Sequence, residues 1–123
     1  MSKIVQAMNV MIAHPELIED ARKGKNGELF FRYKKKYIWG MIRHEDLHRL
    51  FYYPDQQDIK LLASFDSDDW ENAEIEMVIY KESDLRTREA KDTFAALFTL
   101  LNEKIFGIND VLDDILSDDD IPF

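Results

Sequence analysis

The chain has 123 residues, 46% of them hydrophobic, no cysteine, and a formal net charge of −9. That length fits one domain with a real core and excludes two ordinary ones, and the missing cysteines exclude disulfides, thiolate chemistry and cysteine-based zinc sites. No run of about 18 apolar residues offers a membrane span, and the N-terminal residues show no signal-peptide pattern, so a cytoplasmic protein is expected.

Ile4, Val5, Met8, Met11 and Ile12 recur at helical spacing up to His14, where Pro15 breaks the pattern. Pro15 then opens a second short helix carrying Leu17, Ile18 and Ala21, which stops before Gly24. From Glu28 the period changes to two. Leu29, Phe31 and Tyr33 alternate with Phe30, Arg32 and Lys34, then Tyr37, Trp39 and Met41 with Ile38, Gly40 and Ile42. The expectation is a β-hairpin with Lys34, Lys35 and Lys36 at its tip. Leu47, Arg49, Phe51 and Tyr53 predict a further strand; residues 54–58 read as a turn into another, carrying Ile59, Leu61, Ala63 and Phe65. An acidic loop with Asp66, Asp68, Asp69 and Glu71 precedes the strand of Ile75, Met77 and Ile79. Ala90, Phe94, Leu97, Phe98, Leu101 and Ile105 fall on one stripe of a long helix that Gly107 ends, and Asn109 caps a last short helix with Val111, Leu112 and Ile115.

The expected fold class is α+β: an antiparallel sheet of about four to five strands covered by the long C-terminal helix, with short helices before it. Residues 1–116 form a single domain and residues 117–123 an acidic tail.

Charge is spread very unevenly. Residues 22–43 hold eight of the sixteen basic residues against one acid, Glu28, a local balance of +7 in an acidic protein. Local charge decides what binds there. Within that stretch, Arg32, Lys34, Lys35, Lys36, Tyr37 and Arg43 combine cations with rings, the mixture that single-stranded nucleic acid requires: bases stack on rings while cations follow phosphates. The competing expectation is structural, with Phe31, Tyr33, Tyr37 and Trp39 forming the buried face of the sheet and the lysines protecting a hairpin tip.

The chain ends Asp118-Asp119-Asp120-Ile121-Pro122-Phe123. Three carboxylates, an apolar Ile-Pro-Phe end and a terminal carboxylate beside the ring call for an apolar pocket flanked by Arg or Lys. Pro122 narrows the backbone, which lowers the entropy lost on docking. This hexapeptide resembles the C-terminal tail of bacterial single-stranded DNA-binding proteins, which that family uses to recruit replication, recombination and repair enzymes. The resemblance covers the tail alone. It implies partners that recognise that tail, with Asp118, Asp119, Asp120, Ile121, Pro122 and Phe123 as the docking residues.

His44-Glu45-Asp46-Leu47-His48 matches H-E-x-x-H, in which two histidines one helical turn apart bind zinc and the glutamate activates the metal-bound water. Charged Asp46 and Arg49 and the strand-like surroundings disfavour the helix this needs, so His44 and His48 are kept only as candidate ligands and no cofactor is expected. No Gly-rich phosphate loop or cysteine nucleophile is present. The expected function is that of a non-catalytic DNA-metabolism accessory protein, carried by a bacterium, phage or mobile element. It binds single-stranded DNA through the basic hairpin and recruits partners through the tail. A decoy that binds no DNA and competes for the same tail receptors, and a zinc hydrolase, are the alternatives.

Overall fold

The computed structural model describes residues 2–54 and 58–120, with only the backbone described at Asp119 and Asp120. Ile121, Pro122 and Phe123, the apolar end of the expected docking tail, lie outside the described residues, as do positions 55–57 of the expected turn. Five strands form one antiparallel sheet in sequence order: β1 (Ile18–Lys23), β2 (Leu29–Tyr33), β3 (Tyr37–His44), β4 (Leu47–Tyr53) and β5 (Val78–Lys81). Around it lie α1 (Lys3–Ala13), α2 (Ile59–Ser64), α3 (Ser67–Asn72), α4 (Glu82–Leu85), α5 (Arg88–Phe106) and α6 (Ile108–Leu116). Among the described residues, no helix is long and apolar enough to cross a membrane.

Strand alternation sends side chains to both faces of the sheet, and each face has its own cover. Leu29, Phe31, Tyr33, Met41 and Leu50 pack against Val5, Met8 and Met11 of α1 and Ala90, Phe94, Leu97 and Leu101 of α5. Ser2 caps α1 by accepting from the Val5 amide, Thr87 caps α5 by accepting from the Ala90 amide, and Gly107 ends α5 at φ 62°, where a side chain would be strained. The expected hairpin, the third strand, the first helix and the long helix are therefore present. On the other face, Phe30, Ile38, Phe51 and Tyr53 pack on Ile59 and Leu62 of α2, with Trp70 of α3 beside them.

Several elements differ from expectation. The second N-terminal helix is only a 3₁₀ turn, Pro15–Leu17, after which the chain becomes β1. A bulge between Glu19 and Arg22, with Asp20 at φ 54°, puts Ile18 and Ala21 against the same core, and that three-residue spacing imitates a helix. Residues 59–64 are helical, not a strand: Asp58 accepts from the Lys60 and Leu61 amides, and Ile59 and Leu62 share the buried side. The acidic loop is α3, begun by a reciprocal cap in which Asp66 accepts from the Asp69 amide at 2.9 Å and Asp69 from the Asp66 amide at 3.1 Å. The Asp69 and neighbouring backbone amides hold the Asp66 carboxyl below its ordinary range. Asn109 does not cap α6, because Gly107 occupies that position and Asn109 lies within the first turn.

The second face contains a buried acid. Glu28 lies over Gly40 and accepts from the Tyr53 hydroxyl, and burial pushes its carboxyl up to about 7. A Cβ on Gly40 would overlap the Glu28 carboxylate and approach Tyr53 Cε2 to 3.1 Å, so glycine is required here by space. Gly40→Ala should destabilise the fold by about 1–3 kcal/mol, the usual range for overpacking, read as a lower urea midpoint with an unchanged slope. Pairing the change with Glu28→Ala should return much of that loss; no recovery would show the obstruction lies elsewhere.

Candidate nucleic-acid interface

The β2–β3 hairpin closes through Lys34, Lys35 and Lys36, with Tyr33 and Tyr37 as its last paired residues. Lys34 and Lys35 occupy the left-handed region, at φ 54° and 63°, where glycine or asparagine is favoured and lysine carries strain of about 1 kcal/mol or more each. Two hydrogen bonds hold the tip: the Lys36 amide donates to Tyr33 O at 3.3 Å and the Lys34 amide to Leu17 O at 3.1 Å. The second ties the loop to the 3₁₀ turn that precedes β1, so the lysines stand on a supported backbone.

Beside the tip lies a short row of rings. Tyr37 and Trp39 alternate on one face of β3, and the register places Tyr52 directly opposite Trp39. Ring centroids are 6.3 Å apart for Tyr37 and Tyr52 and 4.8 Å for Trp39 and Tyr52. Tyr37 is exposed, Trp39 and Tyr52 are half-buried, and Val78 of β5, exposed, pairs with Tyr52. Lys36 Nζ stands 4.9 Å above the Tyr37 ring, so cation and ring already meet. The arrangement offers one exposed and two half-buried rings, Trp39 packed partly against the core, beside Lys36 and the loop that carries Lys34 and Lys35, which suits a flexible polyanion with bases to stack.

Not all of the expected cations gather there. Arg32 points to the opposite face and its Nε lies 3.4 Å from Asp20 Oδ2. Arg43 stands six residues along β3 from Tyr37, about 20 Å at strand rise, and its guanidinium donates to Asp46 at 3.0 Å. Lys34, Lys35, Lys36 and Tyr37 therefore form one cluster, while Arg32 and Arg43 belong elsewhere. Phe31 and Tyr33 are core residues and Trp39 packs partly against the same core, so the structural expectation holds for the first two and in part for Trp39 but not for exposed Tyr37; Phe30 is buried on the other face. Tyr52 was not expected to take part; the signal was its register with the hairpin, which needs the strand pairing to be known.

The H-E-x-x-H segment is a β-turn, not a helix. Glu45 and Asp46 form the tip at φ 50° and 68°, and His44 pairs with Leu47, which puts His44 and His48 on opposite faces of the sheet. His48 is buried, its Nδ1 2.9 Å from Glu82 Oε1 and its ring 5.2 Å from that of Phe98, whereas His44 is exposed. Among the described residues, no group of three or more His, Asp or Glu side chains is placed to hold a metal ion. No protein-family model matches this chain, and no curated protein or solved structure is significantly similar to it.

Proposed function

We propose that this chain is a non-catalytic, cytoplasmic accessory protein of DNA metabolism, encoded by a bacterium, phage or mobile element, that holds single-stranded DNA weakly at the hairpin tip and presents its C-terminal hexapeptide to replication and repair proteins. The observation that carries the first half is the strained tip: lysine occupies two left-handed positions where glycine would relax the backbone, immediately beside the exposed Tyr37 ring. Charge retained at the expense of backbone strain supports a functional role for those ammonium groups. The second half rests on the chemistry of Asp118, Asp119, Asp120, Ile121, Pro122 and Phe123 and its likeness to the single-stranded DNA-binding protein tail.

The strain makes a test with opposite signs. Lys34→Gly/Lys35→Gly should leave the fold as stable or stabilise it, yet weaken binding to a labelled oligonucleotide at low salt by about tenfold. With two fewer phosphate contacts, the slope of log affinity against log salt should fall by about 1.4, at 0.7 per contact for single strands. Absence of oligonucleotide binding by the unaltered chain would favour the decoy reading, in which the body is only a carrier for the tail. Arg32 and Arg43, each already facing a carboxylate, are the observation that keeps that second reading in view.

A further inference from the structure

Between α5 and the turn that joins β3 to β4 lies a cavity of about 300 Å³, bordered by Arg43, Asp46, His48, Lys91, Phe98 and Thr99. On α5, Lys91, Ala95 and Thr99 follow at four-residue spacing and so stand on one side of the helix, where the short Ala95 side chain between two longer ones leaves room. His48 comes from β4, on the sheet face that α5 covers, with its ring 5.2 Å from that of Phe98.

His48 and Glu82 are each only 6% exposed, and His48 Nδ1 lies 2.9 Å from Glu82 Oε1. That contact fixes the orientation of the ring. The other nitrogen, Nε2, forms no hydrogen bond among the described residues yet is not sealed from solvent, and the cavity is where His48 opens. A polar atom so placed on a buried ring calls for a water or a ligand.

The surrounding charges select the ligand. Asp46 accepts from the Arg43 guanidinium at 3.0 Å and Glu82 faces His48, so both carboxylates are already matched. Asp92 borders the adjoining cavity together with Arg86 and Arg88. Lys91 is exposed and forms no salt bridge among the described residues, which leaves its ammonium as the uncompensated charge. An anion is therefore favoured. Phosphate matches the imidazole in either protonation state: its P–O accepts from Nε2–H of the charged ring, and its P–OH donates to Nε2 of the neutral ring that keeps its proton on Nδ1. An ionised carboxylate can do only the first.

We propose that this cavity binds a phosphate group, free or as the monoester of a small molecule, through His48 Nε2, the Lys91 ammonium and the Thr99 hydroxyl. Glu82 is a positioning residue that holds the imidazole towards the ligand. The site is independent of the hairpin tip and of the C-terminal tail.

His48→Ala would strand Glu82 in the interior and test folding more than binding, so the exposed Lys91 is the residue to change. The chain has three histidines, and the exposed His14 and His44 serve as internal references for ring NMR signals of the full chain. Inorganic phosphate, added at constant pH and ionic strength, should move the His48 ring signals saturably at millimolar concentration while His14 and His44 stay nearly in place. Lys91→Gln should raise the half-saturating concentration about fivefold, near the upper value for a partly exposed charge pair, with the thermal midpoint unchanged. Phenyl phosphate that saturates at a severalfold lower concentration assigns an ester whose ring lies along Phe98; equal concentrations assign free phosphate. Equal movement of all three histidines, absence of saturation, or a Lys91→Gln variant that saturates like the unaltered chain overturns the site. Acetate that moves His48 at the same concentration as phosphate assigns a carboxylate and overturns the phosphate ligand.

Discussion

Between pH 4.5 and 7 the unaltered protein should lose about 3 kcal/mol of stability relative to a Glu28→Gln variant. Glu28 has an ordinary carboxyl value of 4.5, and burial over Gly40 raises it to about 7 in the folded chain. A raised value means the folded state holds the proton more tightly than the unfolded state. The resulting stabilisation is complete below pH 4.5 and is lost as pH rises through 7. A shift of two to three pH units corresponds to about 3 kcal/mol at 1.36 kcal/mol per unit. Glutamine keeps the shape and still accepts from the Tyr53 hydroxyl, but it cannot ionise. Its stability should match the unaltered chain near pH 4.5 and exceed it at pH 8. Burial and the adjacent Glu28 both push the Tyr53 phenol upward, so Tyr53 remains a donor throughout that window. Urea titrations of both proteins at several pH values give the difference directly, with the many surface carboxylates cancelling between them. A difference that stays constant from pH 4.5 to 8 would show that Glu28 ionises normally.

Deletion of Phe123 alone should weaken binding to proteins that recognise the single-stranded DNA-binding protein tail by about thirtyfold or more, while leaving the unfolding midpoint unchanged. The deletion removes the ring and moves the terminal carboxylate onto Pro122. Losing an interface anchor commonly costs 2 kcal/mol or more, and 2 kcal/mol corresponds to about thirtyfold in affinity. A synthetic Asp-Asp-Asp-Ile-Pro-Phe peptide should displace the unaltered chain from the same receptor, and high salt should weaken both. Binding that survives the deletion and ignores the peptide would remove the tail from the mechanism.

Elements with a single strong period were legible in the sequence. The α5 stripe from Ala90 to Leu101, the α1 stripe from Val5 to Met11 and the alternation of Leu29, Phe31 and Tyr33 all reappear as buried faces. Where two periods coexist, the sequence misleads. Ile59, Leu61, Ala63 and Phe65 alternate as a strand would, yet Leu61 is exposed and Leu62 buried, because the Asp58 cap starts a helix whose buried side follows Ile59 and Leu62. The bulge in β1 did the reverse, giving a strand a helical spacing. The lysine tip of the candidate interface was visible as a run of charge, but its ring row was not, since the contact of Trp39 with Tyr52 depends on β3–β4 register. In the sequence Glu28 is legible only as the lone acid in a basic stretch; that it is buried depends on the space that Gly40 leaves by lacking a side chain, which no local pattern encodes. The apolar periodicity of Val111, Leu112 and Ile115 was equally plain, while their exposure required knowing that among the described residues nothing buries α6.

Recruitment requires one molecule to hold DNA and partner at once, and a three-component capture measures that directly. Single-stranded oligonucleotide is immobilised, and a tail-binding enzyme subunit with no DNA affinity of its own is passed over it with and without the chain. Retention of the subunit is expected only when the unaltered chain is present, with loss of retention for either the Phe123 deletion or Lys34→Gly/Lys35→Gly. A subunit that binds the chain in solution yet is never retained on the oligonucleotide would contradict recruitment.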